Sequence, residues 1–215
     1  MTRERPIQFV VVGGPHGGPT ENPTCYVRTT QRGKYQRWTR PRRSKRTGEL
    51  LPPRLTQWAR YQDYIDHVRR EMPAEDYRLL VDHYWPLVAG REAKLVLDVV
   101  VQFRGRAHSD ADHVASTIAD ALFPAPLRKR KKPTHSRRFR SRETYVPVWP
   151  RAVLERAPGD RGVLARTIDF RDGQETAFVA IRIKGPYPRT EWLDPGAHGF
   201  PRVELHRSIV KEDEE

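Results

Sequence analysis

The chain has 215 residues and a formal net charge of +13, and its 40 basic residues comprise 8 lysines and 32 arginines. Because the guanidinium group presents a planar set of donors that matches phosphate oxygens, this composition favours a phosphate-rich partner, nucleic acid above all. The apolar runs are too short for a membrane span, and the single cysteine, Cys25, excludes an internal disulfide. We therefore expect a single domain over residues 1–215 with no membrane partner. Since its start lacks an apolar signal region, we expect it to be cytoplasmic.

The first predicted element is a β-strand over Ile7–Val12, ended by the glycine- and proline-rich segment 13–19. This segment lacks the Gly-Lys-Ser/Thr of a P-loop and the glycine spacing of a dinucleotide-binding fingerprint. We interpret it as a loop.

A basic stretch follows over residues 28–60, with eleven basic residues and one acid, Glu49. Aromatic residues lie among the basic ones, and this combination suits a nucleic-acid strand because arginine meets phosphate while rings stack on bases. Tyr35 and Trp38 fit a base-stacking role and a core role equally well. The candidate nucleic-acid contacts in this stretch are Arg37, Arg40, Arg42 and Arg43.

Two helices are predicted next. The first carries an apolar stripe with steps of 3, 4, 3 and 4 residues, formed by Trp58, Tyr61, Ile65, Val68 and Met72. The second spans about Ala74 to Tyr84, with Pro73 suited to its start and Pro86 to its end.

Strict alternation over Lys94–Phe103 predicts a central strand. A basic loop follows, and then a helix over Asp110–Leu122 with Ser109 as its predicted N-cap. Pro124 and Pro126 end that helix.

The segment after this helix is read as a basic insertion over about residues 124–160. Its residues 128–142 include nine basic residues and no acid, which predicts an extended arm. The candidate nucleic-acid contacts in the arm are Lys129, Arg130, Lys131, Lys132, Arg137 and Arg138.

Two further strands are predicted over Gly162–Phe170 and Thr176–Lys184, joined as a hairpin by the turn signal Asp172-Gly173. A coil over 185–201, a short edge strand over Val203–Val210 and a frayed acidic tail over 211–215 complete the chain. The elements together predict a mixed α/β (α+β) fold, with a mixed sheet of about four to five strands and two to three helices.

The chemistry-bearing motif is Asp110-Ala111-Asp112 at the mouth of the central strand. Two carboxylates one residue apart can converge on a hard cation, and Mg²⁺ suits them because it keeps waters for a substrate phosphate. A third carboxylate would come from Asp172, with Asp169 as its rival. The alternative is that these acids only complement the helix dipole, as acidic residues at helix starts commonly do.

The segment from Asp110 to Leu122 resembles the signature of the RusA family of Holliday junction resolvases. That signature is a strand, a basic loop, Asp-x-Asp-Asn, seven further positions and Asp-Ala-Leu. The family then has Asp-Asp-x-Gln leading into a strand that ends in lysine, which 171–174 and Ile183-Lys184 resemble. Three positions depart from the family: His113 stands for asparagine, Ser116 for lysine, and Arg171 for the first acid of the doubled pair.

The resemblance implies a RusA-like dimeric endodeoxyribonuclease that cuts branched DNA in the cytoplasm of a bacterium or a phage-infected host. It implies that Asp110, Asp112 and Asp172 are catalytic ligands of Mg²⁺, or of Mn²⁺ in its place. Arg104, Arg106 and His113 are then the nearest candidate DNA contacts. Two other hypotheses stay open: a DNA- or RNA-binding protein that kept the fold and lost turnover, and a basic structural protein of a nucleoprotein assembly.

Overall fold

The computed structural model describes residues 5–25, 37–90, 93–106, 110–126 and 148–188. Most of the basic arm, the predicted strand Val203–Val210, the acidic tail and Ser109 lie outside the described residues.

The described elements follow the chain in the order strand, ribbon, helices, strand, two helices, two strands. The strands are β1 (Ile7–Val12), β2 (Arg42–Arg43), β3 (Leu50–Leu51), β4 (Ala93–Arg104), β5 (Val163–Gln174) and β6 (Phe178–Pro188). The helices are α1 (Gln57–Glu71), α2 (Ala74–Leu79), α3 (Trp85–Gly90), α4 (Ala111–Leu122) and α5 (Arg151–Leu154), with a π-helical turn at Leu80–Tyr84 and a 3₁₀ turn at Asp160–Gly162.

The main sheet has four strands in the order β1-β6-β4-β5, and β2 and β3 form a separate antiparallel ribbon. Strand β4 pairs parallel with β5 and antiparallel with β6, and β6 pairs antiparallel with β1. The sheet is therefore mixed, and the predicted mixed α/β class is confirmed.

The predicted hairpin between the last two strands is wrong, because β4 lies between β5 and β6. Strand β4 is the most apolar strand, and it is buried on both faces, at Leu97, Val99 and Val100 among others. A strand of this kind belongs inside the sheet, with a neighbouring strand on each side. Gly173, with φ +72°, serves a different contact: its N–H donates to the carbonyl of Gly105 at 2.8 Å. Burial of the most apolar strand therefore overrides the local turn signal.

The sheet has two unlike faces. On one face, which we call the helix face, β4 residues Leu95, Leu97, Val99 and Val101 pack with the apolar sides of α1, α3 and α4 in the main core. On the other face, which we call the second face, a small cluster is built from strand residues: Val100 and Ala180, with Val10, Ile168 and Phe178 packed on them.

Helix α1 carries the predicted stripe. Tyr61, Ile65 and Val68 are buried, and Trp58 packs on the core from a partly buried position. The hydroxyl of Thr56 caps the helix by accepting a hydrogen bond from the N–H of Ala59 at 3.1 Å.

The prediction that Pro86 ends the second helix is wrong, because helical structure continues to Gly90. The π-helical turn moves the hydrogen bonding by one residue, so that the N–H of Trp85 bonds to the carbonyl of Leu80. Pro86 follows this turn as the second residue of α3. The same turn buries Trp85, whose indole N–H donates to the carbonyl of Leu122 at 2.9 Å.

A polar contact joins α1 to α4: the Tyr61 hydroxyl donates to Asp120 Oδ2. Burial raises the pKa of the Asp120 carboxyl above its ordinary value, and the Tyr61 hydrogen bond partly offsets that rise. Asp120, which belongs to the Asp-Ala-Leu of the RusA-like segment, thus has a packing role here.

Substituting Tyr61→Phe removes this donor and is expected to lower the free energy of unfolding by about 1–3 kcal/mol at pH 7. The pKa of Asp120 should rise further, so the folded state binds its proton more readily than the unfolded state and the deficit shrinks as pH falls. Urea unfolding at pH 7 and pH 5 measures this; a deficit that grows on acidification would contradict it.

Candidate functional site

One end of the main sheet holds the predicted carboxylates together with Arg104, Arg106 and His113. Strands β1, β4 and β5 run in the same direction and β6 runs against them, so the ends of the first three and the start of β6 meet there. The segments 13–25 and 175–177 and the described residues 105, 106 and 110 lie at this end, which we call the carboxyl end of the sheet. Loops at the carboxyl ends of parallel strands are the usual position of ligand sites in α/β proteins.

The glycine-rich segment after β1 is a loop, as predicted, and it folds over this end. The N–H of Gly13 donates to the carbonyl of Ala177 at 2.7 Å, and the N–H of Ala177 donates to the carbonyl of Pro19 at 2.8 Å. Gly13 has φ +61°, and a Cβ there would lie 1.9 Å from the carbonyl oxygen of Gly18, so a side chain does not fit.

The later part of the same loop is bonded to the candidate site. The Asn22 side chain donates to the carbonyl of Arg104 at 3.0 Å and accepts from the Arg104 N–H at 2.6 Å, as a strand neighbour would. The Cys25 thiol donates to the carbonyl of Asp110 at 3.4 Å. The loop therefore holds both ends of the 104–110 connection, a role that sequence reasoning missed because no motif marks Asn22.

Asp110 and Asp112 stand together at the start of α4. Asp110 is the N-cap, and its Oδ1 accepts a hydrogen bond from the N–H of Asp112 at 3.2 Å. The predicted N-cap, Ser109, is therefore wrong by one residue, because the carboxylate of Asp110 takes that position. Both carboxylates are exposed to solvent.

Two of the three departures from the RusA-like pattern, His113 and Ser116, lie in the first turns of α4. His113 is exposed, and its backbone N–H bonds to the carbonyl of Asp110 at 3.2 Å. The Ser116 hydroxyl donates to the carbonyl of Asp112 at 3.2 Å, within its own helix. Ser116 therefore does not supply the positive charge that a lysine would bring.

The strand register bears on one of the two rivals for the third carboxylate. Cross-strand neighbours point to the same side of a sheet, and Asp169 is opposite Val100, which belongs to the second face. The pairing of β5 with β4 shifts by one residue between Gln102 and Arg104, at the position of Asp172, so alternation does not assign Asp172 to a face. Asp172 and Asp169 therefore both stay predictions.

Among the residues that the structure describes, no group of three His, Cys, Asp or Glu side chains is arranged to hold a metal ion. The structure brings Asp110 and Asp112 together, and a third ligand stays a prediction. Two carboxylates are nevertheless a donor set that suits Mg²⁺, which is commonly bound by one or two carboxylates together with waters and substrate phosphates.

The predicted basic contacts fall into three groups. Arg104 and Arg106 are exposed at the carboxyl end of the sheet, beside the loop to α4. Arg37 differs, because its guanidinium makes a bidentate pair with Asp63, at 2.9 and 3.0 Å. The exposed residues Arg40, Arg42 and Arg43 lie in or beside the β2–β3 ribbon, and the arm residues Lys129, Arg130, Lys131, Lys132, Arg137 and Arg138 lie outside the described residues.

A buried ionic cluster was not predicted. Asp98 of β4 is fully buried; its Oδ1 lies 2.5 Å from Arg166 Nε and its Oδ2 lies 2.7 Å from Lys184 Nζ. Burial lowers the pKa of Lys184 to about 8, although the Asp98 carboxylate opposes that shift. One acid inside the otherwise apolar run Leu95–Val101 was the available signal, since a buried carboxylate requires cationic partners.

The chain matches no protein-family model, no curated protein and no solved structure. In the described ranges, none of the helices has the length and apolar character required to cross a membrane.

Proposed function

We propose that this protein is a Mg²⁺-dependent endodeoxyribonuclease that acts on branched DNA such as Holliday junctions. The observation that carries the proposal is the exposed pair Asp110 and Asp112, held at the start of α4 at the carboxyl end of the sheet. Arg104 and Arg106 are exposed on the adjoining loop. Acidic ligands beside arginines are what phosphodiester hydrolysis requires, since the reaction combines an anionic substrate with a cationic cofactor.

In this proposal Asp110 and Asp112 hold the ion, and Asp172 is the third ligand. When bound, Mg²⁺ supplies Lewis-acid stabilisation of phosphate charge and lowers the pKa of a coordinated water. Arg104 and Arg106 bind the neighbouring phosphates, and an arginine fork matches phosphate oxygens in a bidentate manner. In the proposal His113, which is exposed in the first turn of α4, donates to a phosphate at the positive end of the helix dipole.

The RusA-like segment supports the choice of substrate and suggests a homodimer. A four-way junction has two-fold symmetry, and a dimer with two sites would match two symmetric strands of the junction.

The test is incubation of a labelled four-way junction with the protein, with Mg²⁺ and with a chelator in its place. We expect cleavage of the junction in Mg²⁺ or Mn²⁺ only, and no comparable cleavage of a linear duplex that has the sequence of one arm. A junction that stays intact in both metals, while the protein binds it, would reject the nuclease proposal.

That last outcome would instead support a binding protein that has lost turnover. The Ser116 hydroxyl favours this second function, because it bonds within α4 where the family has a lysine. The same junction assay separates the two, since binding and cleavage are recorded on one substrate.

A further inference from the structure

The second face of the sheet is ordered in rows that cross the strands. One row is polar: Gln8 is paired with Arg182, Arg182 with Asp98, and Asp98 with Arg166. The next row is apolar, with Val10 and Val100 on either side of Ala180. A third row, at the carboxyl end, joins Val12, Phe178, Gln102 and Arg171 through the same registers.

The charge of this face is positive. Asp98 is bonded by Arg166 and Lys184, and Arg182 is its direct neighbour on β6. Of these charged side chains and their neighbours on β5, Arg171 is exposed, Arg166, Arg182 and Asp169 are partly exposed, and Asp98 and Lys184 are buried, so the accessible charge is mainly cationic. The face therefore complements an anionic partner.

The third row adds apolar and aromatic surface next to this charge. Val12 is 49% exposed, Phe178 is half-buried on the second-face cluster, and Arg171 is exposed. The Gln102 amide donates to the carbonyl of Thr176 at 3.2 Å. This bond holds the Gln102 side chain next to Phe178, the first residue of β6. A ring, an amide and an arginine in one row offer stacking, hydrogen bonding and phosphate contact together.

This row also continues into the candidate site. Arg104 follows two residues after Gln102 on β4 and is paired with Gln174 of β5. A strand of nucleic acid that leaves Arg104 can therefore cross the sheet end onto Arg171 and Phe178 without leaving basic surface.

We propose that the second face binds single-stranded nucleic acid, with phosphates on Arg171 and Arg182 and a base on the Phe178 ring. This inference rests on the proposed function in one respect, namely that the nucleic acid is DNA. The bound strand is then an unpaired segment of DNA next to the branch point. An unpaired strand fits better than a duplex, because its bases are free to stack on the partly exposed Phe178 ring at the carboxyl end of the sheet.

The test is the binding of a labelled oligothymidylate without metal, across a salt series. Arg171→Gln/Arg182→Gln is the test variant, and Arg70→Gln/Arg78→Gln, two exposed arginines of α1 and α2, is the charge-matched control. We expect the test variant to bind about tenfold more weakly, with a salt slope smaller by about 1.4 for two lost phosphate contacts. The control should match the wild-type protein.

A second variant, Phe178→Leu, keeps apolar packing and net charge but removes the ring. We expect it to weaken binding by about fivefold or more, the loss of one stacked base. Equal losses in test and control variants, or no loss in either test variant, would overturn the inference. Because no metal is present, a failure here is distinct from a failure of junction cleavage.

Discussion

Replacing Asp98 by asparagine is expected to lower the free energy of unfolding by about 3–5 kcal/mol. Asp98 is fully buried and bonded by Arg166 and Lys184, and Arg182 is its neighbour on β6. A neutral amide cannot offset three nearby cations, and Lys184 is almost fully buried. Asparagine has nearly the same shape as aspartate, so the loss of stability measures the removal of the charge and not a change in side-chain volume.

Urea unfolding monitored by circular dichroism measures this effect at pH 7. The exposed substitution Asp112→Asn serves as control and should change stability by no more than about 0.5–1 kcal/mol. Adding Lys184→Met to Asp98→Asn should recover part of the loss, because it removes a buried cation that has lost its partner. If Asp98→Asn is as stable as the wild-type protein, the charge of Asp98 contributes nothing to the free energy of unfolding.

The same cluster predicts a pH dependence. The pKa of Lys184 is about 8 in the folded protein and 10.5 ordinarily, so the unfolded state binds more protons between those values. This residue therefore makes stability rise with pH through that window. In Asp98→Asn the pKa of Lys184 should fall further, and the rise should begin at a lower pH.

Periodicity predicted the elements whose burial follows one simple pattern. The strand over β4, the stripe of α1 and the helix after Asp110 all appear in the structure, although β4 is buried on both faces and not on one alone. Periodicity does not predict the order of the strands in the sheet. The turn signal at Asp172-Gly173 is local, whereas the position of β4 between β5 and β6 depends on which strand gains most from two neighbours.

The candidate site was predictable where it is local in sequence. Asp110 and Asp112 are one residue apart, so any helix start brings them together. Asn22 and Arg104 are 82 residues apart, and their contact exists only because β1 and β4 both finish at the carboxyl end of the sheet. The Asp98 cluster is non-local in the same way, since it joins three strands whose order the sequence does not state.

The proposed nuclease activity requires the carboxylates of both Asp110 and Asp112. Asp110→Asn and Asp112→Asn are each expected to reduce junction cleavage at least about 10²-fold, because an amide is a far weaker ligand for a hard cation. Binding to the junction should persist and could tighten, since a negative charge facing phosphate is removed. Single-turnover cleavage and binding on the same labelled junction measure both quantities.

Asparagine is the informative replacement at Asp110. Asp110 caps α4 by accepting from the N–H of Asp112, and asparagine is about as good an N-cap as aspartate. Asp110→Ala would also lose about 1 kcal/mol of cap stability, so Asp110→Asn separates the metal-ligand role from the helix cap. If Asp110→Asn cuts as fast as the wild-type protein and Asp110→Ala only lowers the melting temperature, Asp110 is a helix cap and the acidic pair at the start of α4 is not the catalytic centre.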